Sequence, residues 1–272
     1  MRRAALRSAL ALLACAAAAL PAGAQAQSAQ SAQSAQTAAG GRGAVVIELK
    51  GFLRTEVVAQ LRQALEGADR ERFPAGAILL LDSPGGEAEV GMQIGRMARA
   101  ANAHAFVRGR CASACVLILA GSVLRAAPTG AVGLHRPQLA LRPRSGPIVP
   151  LEAGDRSGSD PRAVALLDEV QKRMQAYLEE MGMPGTLWEA IMAVPAGGTR
   201  YLTREELKSY GLLGFDADYA RMRAGSAARR LNLPEEEYAR RTLDTQNRCV
   251  DAAPAQSATE FARCYRRTLE AP

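Results

Sequence analysis

Lysine is nearly missing from this 272-residue chain: Lys50, Lys172 and Lys208 are the only three among 34 basic residues. Aromatic side chains are scarce too, at 4% with one tryptophan, and histidine occurs twice. The net charge of +7 is carried by scattered arginines. Without a basic cluster or a stacking platform, that charge reads as solvated surface, and no nucleic-acid partner is expected. No uncharged apolar run reaches about 18 residues, which excludes a multi-span membrane protein. What is present is an ordinary globular balance, 48% hydrophobic and 22% charged. That is enough apolar matter to bury a sizeable core, so a wholly disordered chain is excluded.

The first 43 residues read as lying outside the fold. Arg2, Arg3 and Arg7 precede an uncharged apolar stretch over 8–20, and Ala22-Gly23-Ala24 and Ala24-Gln25-Ala26 offer small-residue cleavage sites. That is the layout of a secretory signal peptide over 1–26. Its apolar run is too short to cross a bilayer of about 30 Å as a helix, so no stable membrane span is expected after cleavage. Cys15, preceded by Leu12-Leu13-Ala14, leaves a lipidated terminus as the alternative, with Leu13 an awkward residue for it. The Ser-Ala-Gln repeats that follow are uncharged and lack the apolar periodicity of a helix or strand, and 27–43 reads as a flexible tether. Export implies a periplasmic or secreted location.

Export also changes how cysteine is read. With Cys15 removed, Cys111, Cys115, Cys249 and Cys264 remain, an even number in an oxidising compartment. Cys249 and Cys264 sit in two short C-terminal helices joined by Asp251-Ala252-Ala253-Pro254 and are expected to be bonded. A bridge there closes a loop of about 15 residues, worth roughly 3 kcal/mol in the chain-entropy model. Cys111 and Cys115 flank a serine. They read as two small residues packing a turn, with a bridge as the alternative. No metal site is expected, because the spacing lacks the paired Cys-x-x-Cys of a zinc ribbon.

Between 44 and 216, strands alternate with helices. Continuous β-branched and apolar runs at 44–49, 77–81 and 105–107 read as buried strands. Helical spacing appears at 55–68, 87–101 and 113–119, and short strands are expected at 123–126 and 131–134. This order implies right-handed crossovers and a mostly parallel sheet. Residues 137–160, rich in proline, glycine and arginine, read as an exposed loop. Asp160 and Pro161 open the longest helix, to about 181, with Val164, Leu167, Val170, Met174, Leu178 and Met181 on one stripe. That stripe must dock on the core or on another subunit, so a homo-oligomer stays open. Thr203-Arg204-Glu205-Glu206 is a capping box, and 217–272 reads as a helical extension.

The chemistry gathers at three places. Ser83-Pro84-Gly85-Gly86 ends a strand, Ser113 opens an apolar helix, and His135 ends a short strand. Singly, each has a plain explanation as a turn, a cap and a packed histidine. Together they match the needs of acyl transfer. The nucleophile needs a helix N-terminus with free N–H groups, a second N–H for the oxyanion, and a base for its proton. His104 lies apart and reads as a core or surface residue.

Leu81-Asp82-Ser83-Pro84-Gly85-Gly86, Cys111-Ala112-Ser113-Ala114-Cys115, Gly133-Leu134-His135-Arg136-Pro137 and Tyr201-Leu202-Thr203-Arg204-Glu205-Glu206-Leu207 occur in that order. Over 44–216 this resembles the Clp protease proteolytic-subunit family within the crotonase-like superfold, in its exported branch. The resemblance implies a repeated ββα superhelix with a mostly parallel sheet. It implies Ser113 as nucleophile, His135 as general base, and the N–H groups of Gly86 and Ala114 as the oxyanion hole. The substrate would be a peptide or another acyl compound, with no cofactor. The family's third catalytic member, an aspartate, has no counterpart in Pro195-Ala196-Gly197-Gly198-Thr199, which leaves Asp155, Asp160 and Asp168 as unranked substitutes. Two functions therefore compete: a serine hydrolase of peptidase type, and a non-catalytic relative that uses the cleft for binding or the long helix for assembly.

Overall fold

Two leucine-, isoleucine- and valine-rich runs, β2 (Val45–Leu53) and β3 (Ala77–Gly86), make the centre of the fold with β4 (His104–Ala112), whose first half is buried through Ala105, Phe106 and Val107. They pair in parallel, β2 with β3 and β3 with β4. Helix α1 (Thr55–Glu66) joins the first pair and α2 (Ala88–Ala100) the second. A computed structural model describes residues 35–38, 45–66, 77–141, 147–154, 160–252 and 258–269. All of these belong to the unit Ser31–Pro272. The signal-peptide stretch, Cys15 and Asp155 lie outside the described residues.

After β4 come α3 (Ala114–Gly121) and the short strands β5 (Leu124–Ala126) and β6 (Val132–Leu134), both parallel to β4. Antiparallel edges are added by β1 (Ala35–Ala38) on β2, β9 (Arg200–Tyr201) on β6 and β10 (Gly214–Phe215) on β5. The fold is thus α/β with a mostly parallel sheet, as the alternation of the sequence implies. β1 lies inside the stretch read as a tether. Its Ala-Gln-Thr-Ala sequence carries no strand signal, but an open β2 edge offers a row of unpaired backbone groups to any chain that follows it.

Residues 137–160, whose composition reads as a loop, contain two strands. These four-residue strands, β7 (Gln138–Leu141) and β8 (Val149–Glu152), pair there as a separate antiparallel hairpin. Pro150 within β8 hides the strand, and proline is tolerated because the two strands form a sheet of their own with both outer edges free. The long helix α4 (Pro161–Glu180) starts as expected, with Asp160 Oδ1 accepting from Arg162 N at 2.9 Å. It docks on its own core through Met174, Tyr177 and Leu178, and Leu167 is buried as well. The Tyr177 hydroxyl donates to the Leu117 carbonyl at 2.7 Å. Gly95 leaves the room for it: a Cβ there would lie 1.8 Å from that hydroxyl. α5 (Gly185–Ala193), which the sequence reading lacks, is followed by α6 (Arg204–Ser209) with both halves of its capping box formed.

Alternate residues of the sheet feed two cores. Leu79 and Leu81 of β3 face a core shared with α1 to α6, while Ile78 and Leu80 face one shared with the C-terminal helices. Those helices are α7 (Ala217–Arg230), α8 (Glu235–Thr245) continued by a π-helical turn (Gln246–Ala252), and α9 (Ala258–Leu269). Asp216 ties the two layers together, accepting from Arg99 at 2.7 Å and from the buried Arg125 at 3.3 Å. Among the described residues, no helix is long and apolar enough to cross a membrane.

Candidate active site

Ser113 stands between the end of β4 and the start of α3 with φ 56° and ψ −129°, a backbone conformation that side chains other than glycine's rarely adopt. It occupies the cap position of α3, yet its side chain forms no capping bond. The hydroxyl is therefore not engaged in the plain task that its position suggests. Its N–H donates to the Gly133 carbonyl at 3.2 Å, and its carbonyl accepts from Val116 N at 2.9 Å. The next residue, Ala114, begins the helix, where N–H groups lack intrahelical acceptors and carry positive partial charge.

The glycine loop is shaped by Ser83, whose buried hydroxyl donates to the Gly51 carbonyl at 2.5 Å and accepts from Gly85 N at 3.0 Å. Gly85 and Gly86 have φ of 109° and 153°. A Cβ on Gly85 would come within 2.4 Å of Ser113 Cβ, and one on Gly86 within 2.2 Å of the Leu53 carbonyl oxygen. Only glycine allows the loop to approach Ser113 this closely.

His135 follows β6, which pairs with β4 at Cys111–Val132 and Ala112–Gly133, so sheet register carries the histidine to the Ser113 turn. The ring is half-buried, and its Nδ1 lies 2.6 Å from the Arg136 carbonyl oxygen. A carbonyl can only accept, so Nδ1 is the donor there, and in the neutral ring this leaves Nε2 as the acceptor. Of the substitute acids, Asp160 is occupied as the cap of α4, and Asp168 lies 3.3 Å from the Gln171 amide. The nearest feature to the missing aspartate is one the sequence did not signal. Glu152, at the end of β8, accepts from Gly197 N at 2.9 and 3.0 Å. It shares a polar recess of about 270 Å³ with His135, Arg110 and Thr199.

Gly86, Ser113, Ala114 and His135 all line one larger cleft of about 700 Å³. No hydrogen bond joins Ser113 to His135 among the described residues, and catalytic contacts are often looser before substrate binds. Most of the remaining lining is apolar, including Val116, Leu134, Leu139, Ile148 and Met174, with Glu87, Glu89 and Gln138 as the polar members. Phe52 and Ile148 stay exposed, 47% and 53%. Among the described residues, no three His, Cys, Asp or Glu side chains cluster as metal ligands.

The cysteines lie as two pairs. Cys249 and Cys264 have Cα atoms 5.7 Å apart and sulfurs at bonding distance. Cys111 and Cys115, which sequence favoured as packing residues, are also at bonding distance, Cα to Cα 5.2 Å. The four-residue spacing brings the end of a strand and the first turn of a helix together across the tight Ser113 turn, which a linear reading does not show. His104 is a core residue. It is 1% exposed, accepts from Leu124 N through Nδ1 at 3.3 Å, and has its ring centroid 4.9 Å from that of Tyr265. Burial pushes its pKa down to about 3.

No protein-family model matches the chain, and no curated protein matches it. Among solved structures it is similar to a mutant form of 1510-N, a membrane-bound stomatin-specific protease, at 22% identity and a TM-score of 0.46. That likeness covers 65% of this chain and 79% of the other.

Proposed function

We propose that this chain is an exported serine hydrolase of peptidase type, with residues 44–216 as its catalytic domain and 217–272 as an extension. The observation that carries this reading is the convergence of three distant segments on one cleft. They are the Ser113 turn with a free hydroxyl, the glycine loop pressed against it, and His135 in one defined tautomer. In the proposed cycle His135 Nε2 takes the Ser113 proton as Oγ attacks the acyl carbon. The N–H groups of Gly86 and Ala114 receive the developing oxyanion. The protonated imidazole then passes its proton to the leaving group, and water hydrolyses the acyl-enzyme by the same route. A carbonyl dipole on Nδ1, in place of a carboxylate, fixes the tautomer but stabilises the imidazolium less. Slow turnover follows. Two pairs of cysteines at bonding distance accord with an oxidising, periplasmic or secreted location.

The test is labelling by a serine-directed fluorophosphonate probe. Ser113→Ala should abolish labelling, and His135→Ala should slow it by roughly 10⁴-fold or more, the scale of loss when a triad member is removed. Labelling that survives in folded Ser113→Ala protein removes the hydrolase reading. Absence of labelling in folded wild type, with a peptide still held in the cleft, points instead to a binding or assembly protein.

A further inference from the structure

The Cys111–Cys115 pair brackets Ser113 and has no part in the cycle just described. Cys111 is the penultimate residue of β4, where sheet register sets it opposite Ser83 of the glycine loop and Val132 of the strand that leads to His135. Its N–H donates to the Ala131 carbonyl at 2.8 Å. It is therefore anchored to both partners of the nucleophile. Cys115 is the second residue of α3, directly after Ala114. Both cysteines are fully buried, and their sulfurs are 2.06 Å apart. The bond ties the first turn of α3 to the sheet across a serine held at φ 56°. A non-glycine residue in that conformation persists only when its surroundings over-determine it. Apart from this bond, the Ser113 backbone is held by the long 3.2 Å contact to Gly133 and the bond from Val116.

We infer that the Cys111–Cys115 disulfide is a positioning element of the nucleophile turn, so that Ser113 and the Ala114 N–H are aligned only after oxidation. The chain would then be about tenfold to a hundredfold slower in a reducing cytosol and reach full competence on export. Reduction by a dithiol transfers two electrons and two protons to the bond, leaves two thiols and converts the dithiol to its own disulfide. The turn is then free to relax toward ordinary φ, carrying Oγ and the Ala114 N–H away from the cleft. This inference rests on the hydrolase reading, since a positioned nucleophile presupposes one.

The experiment uses mature protein with Cys249 and Cys264 both replaced by alanine, so that the 111–115 bond is the one reduced. Fluorophosphonate labelling of oxidised protein, dithiol-treated protein and a Cys111→Ala/Cys115→Ala variant is followed against probe concentration. A merely structural bond would alter stability or probe affinity. A positioning bond should lower the limiting labelling rate by about tenfold to a hundredfold and leave the half-saturating probe concentration within about twofold. Backbone hydrogen exchange at 112–116 is measured in parallel and should speed up in both altered forms. Equal limiting rates in all three forms overturn the inference while leaving Ser113 as nucleophile. If no form labels at Ser113, the hydrolase reading has failed, and the inferred role fails with it. Unchanged exchange at 112–116 overturns the inference whatever the labelling.

Discussion

On one face of the central sheet, Leu79 and Leu81 lie under α1 to α6; on the other, Ile78, Leu80 and Phe106 lie under α7 to α9. Each face holds one of the two histidines. His135 sits half-buried at the edge of an open cleft with one nitrogen committed to a carbonyl. His104 is sealed between Phe215 and Tyr265, and its Nε2 has no hydrogen-bond partner among the described residues. The first face sets its spacing with glycines, which bring backbone close to backbone around Ser113. The second closes with rings, alanines and a cysteine pair. One face is organised around access and the other around exclusion of water, although both share the same strands.

Either face can be disturbed on its own. The largest effect is expected from Gly86→Ala, where a positive φ combines with a Cβ 2.2 Å from the Leu53 carbonyl oxygen. A loss on the order of 4 kcal/mol or outright misfolding should appear in denaturant unfolding. Replacing Cys249 and Cys264 by alanine should cost about 3 kcal/mol, with hydrogen exchange rising in α8 and α9 and little change around Ser113.

His104 sharpens the contrast through pH. Its pKa is near 3 in the folded chain, below the ordinary value of 6.5, so the unfolded chain binds more protons between those values. Stability should therefore fall as pH drops through 6.5, by about 1.4 kcal/mol per unit for this group, and level off near 3. His104→Gln, which keeps an acceptor but does not titrate, should flatten that part of the profile. The smallest effect is Tyr177→Phe, which removes the hydroxyl bonded to Leu117 and should lower stability by about 1 kcal/mol.

The sequence exposes one face better than the other. The strand and helix order over 44–134, the Asp160 cap and the capping box at Thr203 are local patterns, and each is found where its residues stand. Ser113, His135 and the glycine loop could be singled out because acyl-transfer chemistry demands particular residue types. The Arg136 carbonyl on His135 could not, since a backbone acceptor has no residue identity to read. Glu152 was hidden in a stretch whose prolines suggested a loop, and its partner Gly197 lies across the recess. The surroundings of His104 come from β10 and α9, far along the chain, and periodicity says nothing about such contacts. α5 follows Pro184 directly and has nine residues, too short for its apolar period to stand out.

The φ of 56° at Ser113 has a thermodynamic consequence apart from any chemistry. A side chain in that region costs on the order of 1 kcal/mol or more relative to glycine. Ser113→Gly should consequently melt at a higher temperature than wild type, even as the hydroxyl is lost. A chain under selection for stability alone would carry glycine at this position. Keeping serine is a standing debt in folding free energy, and calorimetry can weigh what the hydroxyl is worth before any substrate is known.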